Sequence, residues 1–270
     1  MAIKYLRYPI PFVPNKVDKF VVKFGSWIPI YCPICGKISR MDFCYEPLRE
    51  TCVCKKCKSH NRQRQLALII CDVFSKLKDK NLRNLKEFSK LDNVDIFSTE
   101  AHGSLHECLK NMETYTCSEY LGDIYNSGTY VNGIMHQDLM DLSFSNESFD
   151  LVISADVLEH VSDPYMAHRE IHRVLKPGGR HIFSVAFDQC EFLDILYTAV
   201  GENGELIHIK DPWYHIDPIR PEGALVFKIF SLEMLIELRK IGFYTNMYHL
   251  YSPRHGIIGQ NGVIFEAIKI

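Results

Sequence analysis

Four cysteines in the first quarter of the chain have the spacing of a metal site. Cys32 and Cys35 form one C-x2-C pair, and Cys54 and Cys57 form a second pair after eighteen intervening residues. Each pair can bring two sulfurs to one ion in a tight knuckle, and two knuckles complete the tetrahedron that a structural zinc ion prefers. A closed tetrahedron leaves no position for a substrate. The spacing therefore predicts a structural zinc site with these four ligands.

Two further cysteines lie between the pairs. Cys52 is an alternative ligand to Cys54, although its position relative to Cys57 makes a poorer knuckle, and Cys44 has no assigned role. Ten cysteines in a small secreted protein would indicate disulfides, but this chain has 270 residues and shows no apolar signal segment. Reduced cysteines without a metal are the other interpretation.

Charge is unevenly distributed along the chain. Residues 1–65 carry 13 Lys and Arg against 4 Asp and Glu, and the remainder carries 18 against 29, so +9 and −11 combine to the net charge of −2. A basic front end indicates an anionic partner: a phosphorylated sugar, a nucleic acid or an anionic membrane surface. The alternative is that basic and acidic surfaces attract each other within the fold.

The composition is that of an ordinary globular protein. Hydrophobic residues make up 47% and charged residues 24% of the chain. No uninterrupted apolar run reaches the roughly 18 residues that a spanning helix needs, so we expect no transmembrane segment. We therefore expect a cytoplasmic protein.

The segment after the cysteines is predicted to be a helix. Ser59 can cap a helix from Asn61 to about Leu77, with apolar residues at helical spacing that should face a core. These are Leu66, Ile69, Ile70, Val73 and Leu77. Arg62 and Arg64 fall in its first turn, where the helix dipole disfavours cations, which points to a role in binding an anion. Solvated arginines are the commoner alternative.

From about residue 93 onward, short apolar runs alternate with amphipathic stretches, as in a parallel sheet with crossover helices. Asp163 and Pro164 should begin one helix, and Ser231 should cap another that ends at Gly242. The predicted strands are 94–97, 114–118, 133–136, 149–154 and 181–185, with an antiparallel pair at 243–251 and 262–270. We predict an N-terminal arm with a small zinc-ribbon-like module at 1–60, linking helices at 61–92, and an α/β domain at 93–270.

Residues 138–184 resemble class I S-adenosylmethionine (SAM)-dependent methyltransferases of the type 11 kind. The likeness is carried by FDLVISADVLEHV at 149–161, by Ser162-Asp-Pro, and by RVLKPGGRHIFSV at 173–185, in the order and spacing of that family. The resemblance extends over about residues 90–270. It implies a Rossmann-like seven-stranded sheet with an antiparallel C-terminal strand pair, and SAM as the cofactor.

The resemblance also implies which residues hold SAM. The acidic residue that ends the second strand usually binds the ribose hydroxyls, which makes Glu119 the candidate, since a carboxylate can accept both hydrogen bonds of a diol. Asp138 is the candidate for the adenine amino group, with Leu139 beside the ring. The end of the fourth strand, from Ser154 to Asp156, should lie beside the reacting methyl group.

The chain departs from the family pattern after the first strand. Members usually have an acidic residue and a Gly-x-Gly-x-Gly turn, but here the turn runs from Ser98 to Gly103, and Ile96 stands where the acid is expected. SAM carries no phosphate and needs less close backbone approach than a dinucleotide. Glu100 is then the candidate for a displaced acid that binds the methionine ammonium, with Gly103 as the remaining glycine. Loss of cofactor binding is the alternative.

A narrower resemblance is to zinc-knuckle methyltransferases encoded among bacterial surface-polysaccharide genes. Three separate features carry it: the two C-x2-C pairs followed by a helix start with Arg62 and Arg64, the turn Ser98-Thr-Glu100, and a later motif at 214–227. The substrates of that group are mostly unassigned, so this resemblance does little to fix the acceptor. We expect a small molecule or a saccharide, which the basic front end would allow to be anionic, and a nucleic acid is the less favoured partner.

Two histidines are candidates for the general base that a hydroxyl acceptor needs. His215 lies in a segment rich in proline and charge that suits a substrate loop, where Tyr214, Asp217 and Arg220 are candidate substrate contacts, and His160 follows the fourth strand. A structural role is the alternative for either histidine. Asp156, Glu159 and His160 could instead hold a divalent ion, as in similar quinone-biosynthesis O-methyltransferases, or simply belong to the common family sequence.

Three functions are compatible with these features. The first is a methyltransferase acting on a hydroxyl of a sugar, nucleotide-linked sugar or related small molecule. The second is an RNA methyltransferase whose basic zinc module grips the phosphate backbone, although basic and aromatic residues are not interleaved as a single-strand platform requires. The third is a non-catalytic binding or scaffold protein with a degenerate SAM fold.

Overall fold

A computed structural model describes residues 27–42, 52–216, 220–259 and 262–270. Five α-helices occur in these ranges: α1 (Asn61–Leu77), α2 (Leu85–Phe88), α3 (Gly103–Leu109), α4 (Pro164–Val174) and α5 (Glu233–Ile241). The strands are β1 (Trp27–Tyr31), β2 (Ile38–Asp42), β3 (Ile96–Ser98), β4 (Tyr115–Cys117), β5 (Tyr130–Val131), β6 (Ile134–Met135), β7 (Phe149–Ala155), β8 (Leu175–Ser184), β9 (Ile195–Leu196), β10 (Thr198–Val200), β11 (Leu206–His208), β12 (Tyr214–His215), β13 (Ala224–Leu225), β14 (Lys228–Ile229), β15 (Phe243–His249) and β16 (Val263–Lys269).

Six of these strands form a central mixed sheet in the order β15-β16-β8-β7-β3-β4. Strands β8, β7, β3 and β4 run parallel to one another, whereas β16 is antiparallel to both β8 and β15. The last two strands therefore form the antiparallel pair that the sequence predicts. Because β3, β4 and β7 are parallel, their carboxyl ends meet at one edge of the sheet, where ligands of open α/β sheets usually bind.

The predicted seven strands are not all present in the described sheet. Residues 133–136, predicted as a third parallel strand, instead fold back as β6 against β5. Asn132 and Gly133 both have positive φ at the turn (50° and 82°), which is the geometry of a two-residue hairpin. Only one parallel bridge, between Glu119 and His136, lies where the seventh strand would pair. The Asn132-Gly133 turn therefore favours a hairpin with β5 over a third parallel strand of the central sheet.

Apolar residues on alternate positions of the central strands pack on two faces. Leu151 and Ile153 of β7 belong to one buried cluster, which contains Leu66 and Ile70 of α1. Val152 belongs to a second cluster, which contains apolar residues of α4 and α5. Because successive side chains of a strand point to opposite faces, this pattern places helices on both sides of the sheet.

The ends of the helices differ in part from the sequence predictions. Asp163 caps α4 as predicted, because its Oδ1 accepts from the backbone N–H groups of the next turn. The predicted Ser59 cap of α1 is wrong: His60 holds that position, and its backbone N–H donates to Gln63 Oε1 at 3.1 Å. Leu77, predicted to face the core, is 46% exposed, since it ends the helix. The predicted Ser231 cap of α5 is also wrong, because Leu232 occupies the capping position.

The residues before α1 pack directly onto the sheet domain. Strands β1 and β2 form an antiparallel hairpin, and Met41 of β2 bridges to Cys54. Ile30 and Met41 belong to the same buried cluster as Leu66 of α1 and Ile264 of β16. One apolar core therefore continues across residue 60, the predicted boundary between the first two parts of the chain.

Three small antiparallel pairs occupy the segment between β8 and α5. They are β9 with β14, β10 with β11, and β12 with β13. Strand β12 carries His215, opposite Ala224 of β13. No helix in the described ranges is long and apolar enough to cross a membrane.

Candidate functional site

The four predicted metal ligands converge beside β1 and β2. Their sulfurs lie within 4.8 Å of one another, with Cys32 Sγ 3.6 Å from Cys57 Sγ. The two knuckles have matching backbone geometry, because Gly36 N–H donates to Cys32 O at 2.9 Å and Lys58 N–H donates to Cys54 O at 2.8 Å. Gly36 and Lys58 both take positive φ (66° and 62°) at the equivalent position. Each C-x2-C pair is therefore folded as a closed turn with its sulfurs on one side.

The four thiols are close together and largely buried, which strongly perturbs the pKa values of Cys35 and Cys54. Burial, followed by the neighbouring Cys32 thiol, raises the pKa of Cys35 to about 11. Hydrogen bonds from Cys32 and Cys57 lower the pKa of Cys54 below its usual range. Four thiolates this close cannot all be charged by themselves, whereas a divalent ion would offset their charge. The residues present thus fit a tetrahedral zinc ion.

Arg64 lies beneath this cluster and is fully buried. Its guanidinium donates to the backbone oxygens of Ser59 at 2.5 Å, Cys52 at 2.7 Å and Gly256 at 2.6 Å. The prediction that Arg64 binds an external anion is therefore wrong for the described fold, because no solvent reaches it. Cys52 contributes its carbonyl oxygen to Arg64, and its sulfur is not one of the four that meet. Cys44 lies outside the described residues.

Glu119 lies two residues after the end of β4, at the carboxyl edge of the sheet, and is 8% exposed. Its Oε1 accepts from the backbone N–H of Ala101 at 2.7 Å and is 2.6 Å from Nδ1 of His102. The predicted ribose-binding carboxylate therefore also holds the loop after β3. This contact joins the ends of two neighbouring strands.

The loop after β3 brings Glu100 into a desolvated position. Burial raises the pKa of the Glu100 carboxyl to about 7, and the positive charges of Arg62 and His102 offset part of this rise. Ser98 stabilises the loop, because its Oγ lies 3.4 Å from the donating Glu100 N–H. The loop is thus closed by a side chain where relatives of the predicted kind use glycines.

Asp156 follows the end of β7 and faces the first turn of α1. Its Oδ2 accepts from Arg62 Nη1 at 2.7 Å. Asp156 has a φ of 52°, which is unusual for a non-glycine residue and turns its side chain toward the helix. Arg62, Glu100, Glu119 and Asp156 therefore form one charged cluster, which we call the acidic cleft. The sequence predicted only that Arg62 binds an anion, and not its contact with Asp156.

The remaining predicted cofactor residues take different positions. Asp138 Oδ1 accepts from Met140 N–H at 2.8 Å, and Leu139 is buried in the second apolar cluster. Ser154 is fully buried with its Oγ 2.8 Å from His181 Nε2, so its hydroxyl lies in the core and not in the cleft. Gly103 begins α3 with a φ of 79°, and a Cβ there would meet Gln63 Nε2 at 2.8 Å. Gly103 therefore serves close packing against α1.

The two predicted catalytic histidines are in contact. His215 Nδ1 lies 3.2 Å from His160 Nε2, and His160 Nδ1 lies 2.8 Å from the carbonyl oxygen of Leu225. A carbonyl only accepts, so His160 carries its proton on Nδ1 and presents Nε2 as an acceptor. His215 then donates from Nδ1, which makes its Nε2 the basic nitrogen. The hairpin of β12 and β13 thus selects the tautomer of both rings.

Glu159 lies under this histidine pair and is 1% exposed. Its Oε1 is 3.9 Å from His215 Nδ1, and its backbone oxygen accepts from Phe227 N–H at 2.8 Å. Glu159, His160 and His215 have ligand atoms within 4.8 Å of one another, a spacing that could hold a metal ion. The metal set suggested by the sequence is different, since Asp156 turns to Arg62 and His215 takes its place.

An open cleft adjoins His215. It has a volume of about 180 Å³ and is lined by Tyr214, His215, Ile216, Arg220, Pro221, Glu222 and Gly223. Arg220 Nη2 donates to the carbonyl oxygen of Tyr120 at 2.8 Å, and Tyr214 is half exposed. Asp217, the other predicted substrate contact, lies outside the described residues.

Sequence reasoning missed two aromatic residues beside this cleft. Trp213 packs edge-on against the His215 ring at 4.8 Å and is 44% exposed. Tyr197 lies 5.6 Å from Trp213, with Lys210 Nζ 5.2 Å from its ring centre. Trp213 precedes the two-residue strand β12, and its place two residues before the candidate base His215 was the signal that could have identified it.

One part of this chain, which includes two central strands of the sheet, is similar to known proteins. Residues 116–183 match the family model described as a methyltransferase domain. A demethylmenaquinone methyltransferase from Staphylococcus epidermidis is 48% identical over 46 residues, which cover 17% of this chain and 19% of that protein. A ubiquinone biosynthesis O-methyltransferase from Ruegeria pomeroyi is 43% identical over 49 residues, which cover 18% and 20%. The match thus spans about a fifth of the length of these relatives.

A solved structure described as an S-adenosylmethionine-dependent methyltransferase from Mesorhizobium loti covers 65% of this chain and 91% of its own, with a TM-score of 0.40 and 18% identity. The family match includes β7 and α4 in full and most of β4 and β8. Glu119, Asp156 and His160 all lie within it. Two residues of the acidic cleft and one of the histidine pair therefore lie in a segment that matches a methyltransferase domain. Arg62, Glu100 and His215 lie outside it.

Proposed function

We propose that this protein is a SAM-dependent methyltransferase that methylates a hydroxyl group of a sugar, a nucleotide-linked sugar or a related small molecule. The observation that carries the proposal is the chain of contacts from Leu225 through His160 to His215, built beside the acidic cleft. It provides a basic nitrogen of defined tautomer near the carboxyl ends of the parallel strands, where we place the cofactor. The match to a methyltransferase domain supports the reaction type.

The acidic cleft suits the charges and hydroxyls of SAM. Glu119 uses Oε1 to hold the loop after β3, and its second carboxylate oxygen can accept from a ribose hydroxyl. Glu100 can bind the methionine ammonium when it is ionised. Arg62 can bind the methionine carboxylate, because a guanidinium matches a carboxylate in geometry and charge. Asp138 and Leu139 remain the proposed adenine contacts.

The histidine pair would act on the acceptor. SAM supplies a methyl group on a positively charged sulfur. His215 Nε2 would accept the proton of the acceptor hydroxyl as that oxygen is methylated, and S-adenosylhomocysteine would be the leaving group. The proton on His215 Nδ1 stays shared with His160, and buried Glu159 stabilises the resulting positive charge at 3.9 Å. Such a base contributes about 100- to 10,000-fold in rate.

The surroundings of His215 favour an acceptor with a flat face and a negative group. Trp213 offers exposed aromatic surface, and the partly exposed Tyr197 ring lies 5.6 Å from it. Lys210 lies over the Tyr197 ring, and Arg220 lines the cleft beside His215. A nucleotide-linked sugar has both a stackable ring and phosphates, so it fits this surface. The O-methyltransferase named among the relatives supports oxygen as the methylated atom.

The protein also contains a structural zinc ion in this proposal, bound by Cys32, Cys35, Cys54 and Cys57. The support is the convergence of the four sulfurs and the two matched knuckle turns. Such an ion holds the knuckles together and takes no part in methyl transfer.

Calorimetry with SAM and with S-adenosylhomocysteine tests the first step, and methyl transfer from labelled SAM to a panel of nucleotide-linked sugars tests the second. We expect His215→Asn to lower kcat at least 100-fold while the Kd for SAM changes less than twofold. His208→Asn, a histidine replacement on exposed β11, is the control and should retain full activity. Absence of SAM binding would refute the proposal, and an unchanged kcat in His215→Asn would refute the base.

A further inference from the structure

Three consecutive side chains at the start of α1 face three different parts of the molecule. Arg62 contacts Asp156 in the acidic cleft, and Gln63 contacts the start of α3. Arg64 contacts the backbone on both sides of the second knuckle, at Cys52 and Ser59. We propose that the metal centre sets the shape of the cofactor cleft through this turn of helix, so that zinc binding strengthens SAM binding without any contact between the two. The proposal rests on the proposed SAM-binding function.

Arg64 is the link on the metal side. A fully buried guanidinium is costly unless anions or several acceptors surround it. Arg64 has three backbone acceptors, and the thiolates of Cys32 and Cys54 raise its pKa against the larger lowering effect of burial. Zinc with four thiolates carries a net charge of about −2, so the loaded centre compensates the buried cation. Loss of the ion would remove the ordered anionic partner of Arg64.

Gly256 shows how closely the fold is built around this guanidinium. It has a φ of 69°, and a Cβ at this position would lie 3.0 Å from Arg64 Nε and 2.9 Å from Met41 Sδ. The segment after β15 therefore packs so closely against Arg64 that even one added methyl group would be too near it. Any shift of Arg64 would move the start of α1 relative to the sheet.

Gln63 and Arg62 are the links on the cofactor side. Gln63 Oε1 accepts from Ser104 Oγ at 2.8 Å and from His60 N–H at 3.1 Å, which joins the start of α1 to the start of α3. Arg62 contacts Asp156 at 2.7 Å, and its charge acts on Glu100. The helix turn that is anchored to the knuckle thus positions the one described arginine that pairs with the cleft acids at the end of β7.

The test compares SAM affinity in zinc-loaded and chelator-stripped full-length protein, with zinc content measured by mass spectrometry and folding by circular dichroism. We expect stripping to weaken SAM and S-adenosylhomocysteine binding at least tenfold in the wild type. Arg62→Gln should bind at least tenfold more weakly when loaded and lose less than threefold further on stripping. Arg169→Gln, an exposed arginine of α4 paired with Asp163, is the matched control and should behave as wild type.

A second variant covers the case in which stripping unfolds the chain. Gly256→Ala presses on Arg64, Met41 and Ile30, none of which is a proposed zinc ligand or a residue of the acidic cleft. The zinc-loaded variant should keep one zinc ion and bind SAM at least threefold more weakly, and this loss should vanish in the Arg62→Gln background. No SAM binding by loaded wild type would overturn the proposed function and the coupling together. The coupling alone would be overturned if the affinity for SAM changed neither on zinc removal nor in Gly256→Ala. It would also be overturned if the affinity fell by the same factor with and without Arg62.

Discussion

His168 should make the fold sensitive to acid. It lies in α4, is fully buried, and packs against the rings of His181, Phe183 and Phe243. Neither of its ring nitrogens has a hydrogen-bond partner in the described part of the chain. Burial lowers the pKa of His168 to about 3. The folded protein therefore keeps this ring neutral at pH values where an unfolded chain would protonate it.

The sign and size of the effect follow from this difference. The unfolded chain binds a proton at His168 with a pKa near 6.5 and the folded chain does not, so stability falls as pH drops below about 6.5 and continues to fall toward pH 3. Each pH unit costs about 1.4 kcal/mol, which gives a loss of about 2 kcal/mol at pH 5.0. Burial lowers the pKa of His181 as well, which adds to the loss in the wild type.

Urea unfolding at pH 7.5 and pH 5.0, followed by circular dichroism, measures this loss. His168→Leu should reduce the drop in unfolding free energy between the two pH values by about 2 kcal/mol. It should be no less stable than wild type at pH 7.5, since the replaced ring nitrogens are unsatisfied. His208→Gln, on the exposed strand β11, should retain the wild-type drop. Equal drops in wild type and His168→Leu would show that His168 is not held neutral by its burial.

Three further predictions concern the cleft, the metal and the sheet. Because the pKa of Glu100 is about 7, SAM affinity measured by calorimetry should fall about tenfold from pH 8 to pH 6 as the ionised fraction falls from about 0.9 to about 0.1. Glu100→Gln should remove this dependence, and a dependence that persists would exclude Glu100 as the ammonium ligand. Elemental analysis should find one zinc ion per chain, lost in Cys54→Ser but kept in Glu159→Gln; zinc retained by Cys54→Ser would argue against the four-cysteine site. Glu266 is 3% exposed and accepts from Arg180 Nε at 2.8 Å, so Glu266→Leu should cost about 3 kcal/mol of unfolding free energy, and a loss below about 1 kcal/mol would count against a buried ion pair.

Local sequence signals were sufficient wherever one short segment decided its own structure. The apolar run at 149–154 predicted β7, since only a strand buried on both faces is so uniformly apolar. Asp163 and Pro164 predicted the start of α4, because capping and a fixed φ act within one turn. The spacing of Cys32, Cys35, Cys54 and Cys57 predicted their convergence.

The same reasoning was weaker where a local preference competed with the sheet. Residues 133–136 were predicted as a strand in the parallel sheet, but Asn132-Gly133 is a strong hairpin signal and turns the segment back on β5. Ser154 was predicted to lie near the cofactor from its place at a strand end. Alternation along β7 instead directs its hydroxyl into the core, toward His181.

By itself, the sequence determined the cysteine pairs, the acids at the strand ends and the two histidines worth considering as a base. Only the tertiary structure decided what these groups contact. It placed His215 on His160, turned Asp156 to Arg62 and buried Arg64 under the knuckle. The physical reason is that residue type and spacing encode the chemistry of a group and the backbone next to it. Burial, tautomer and charge partner depend on segments far apart in the chain, as in the bond from Arg64 to Gly256, which lies 192 positions away.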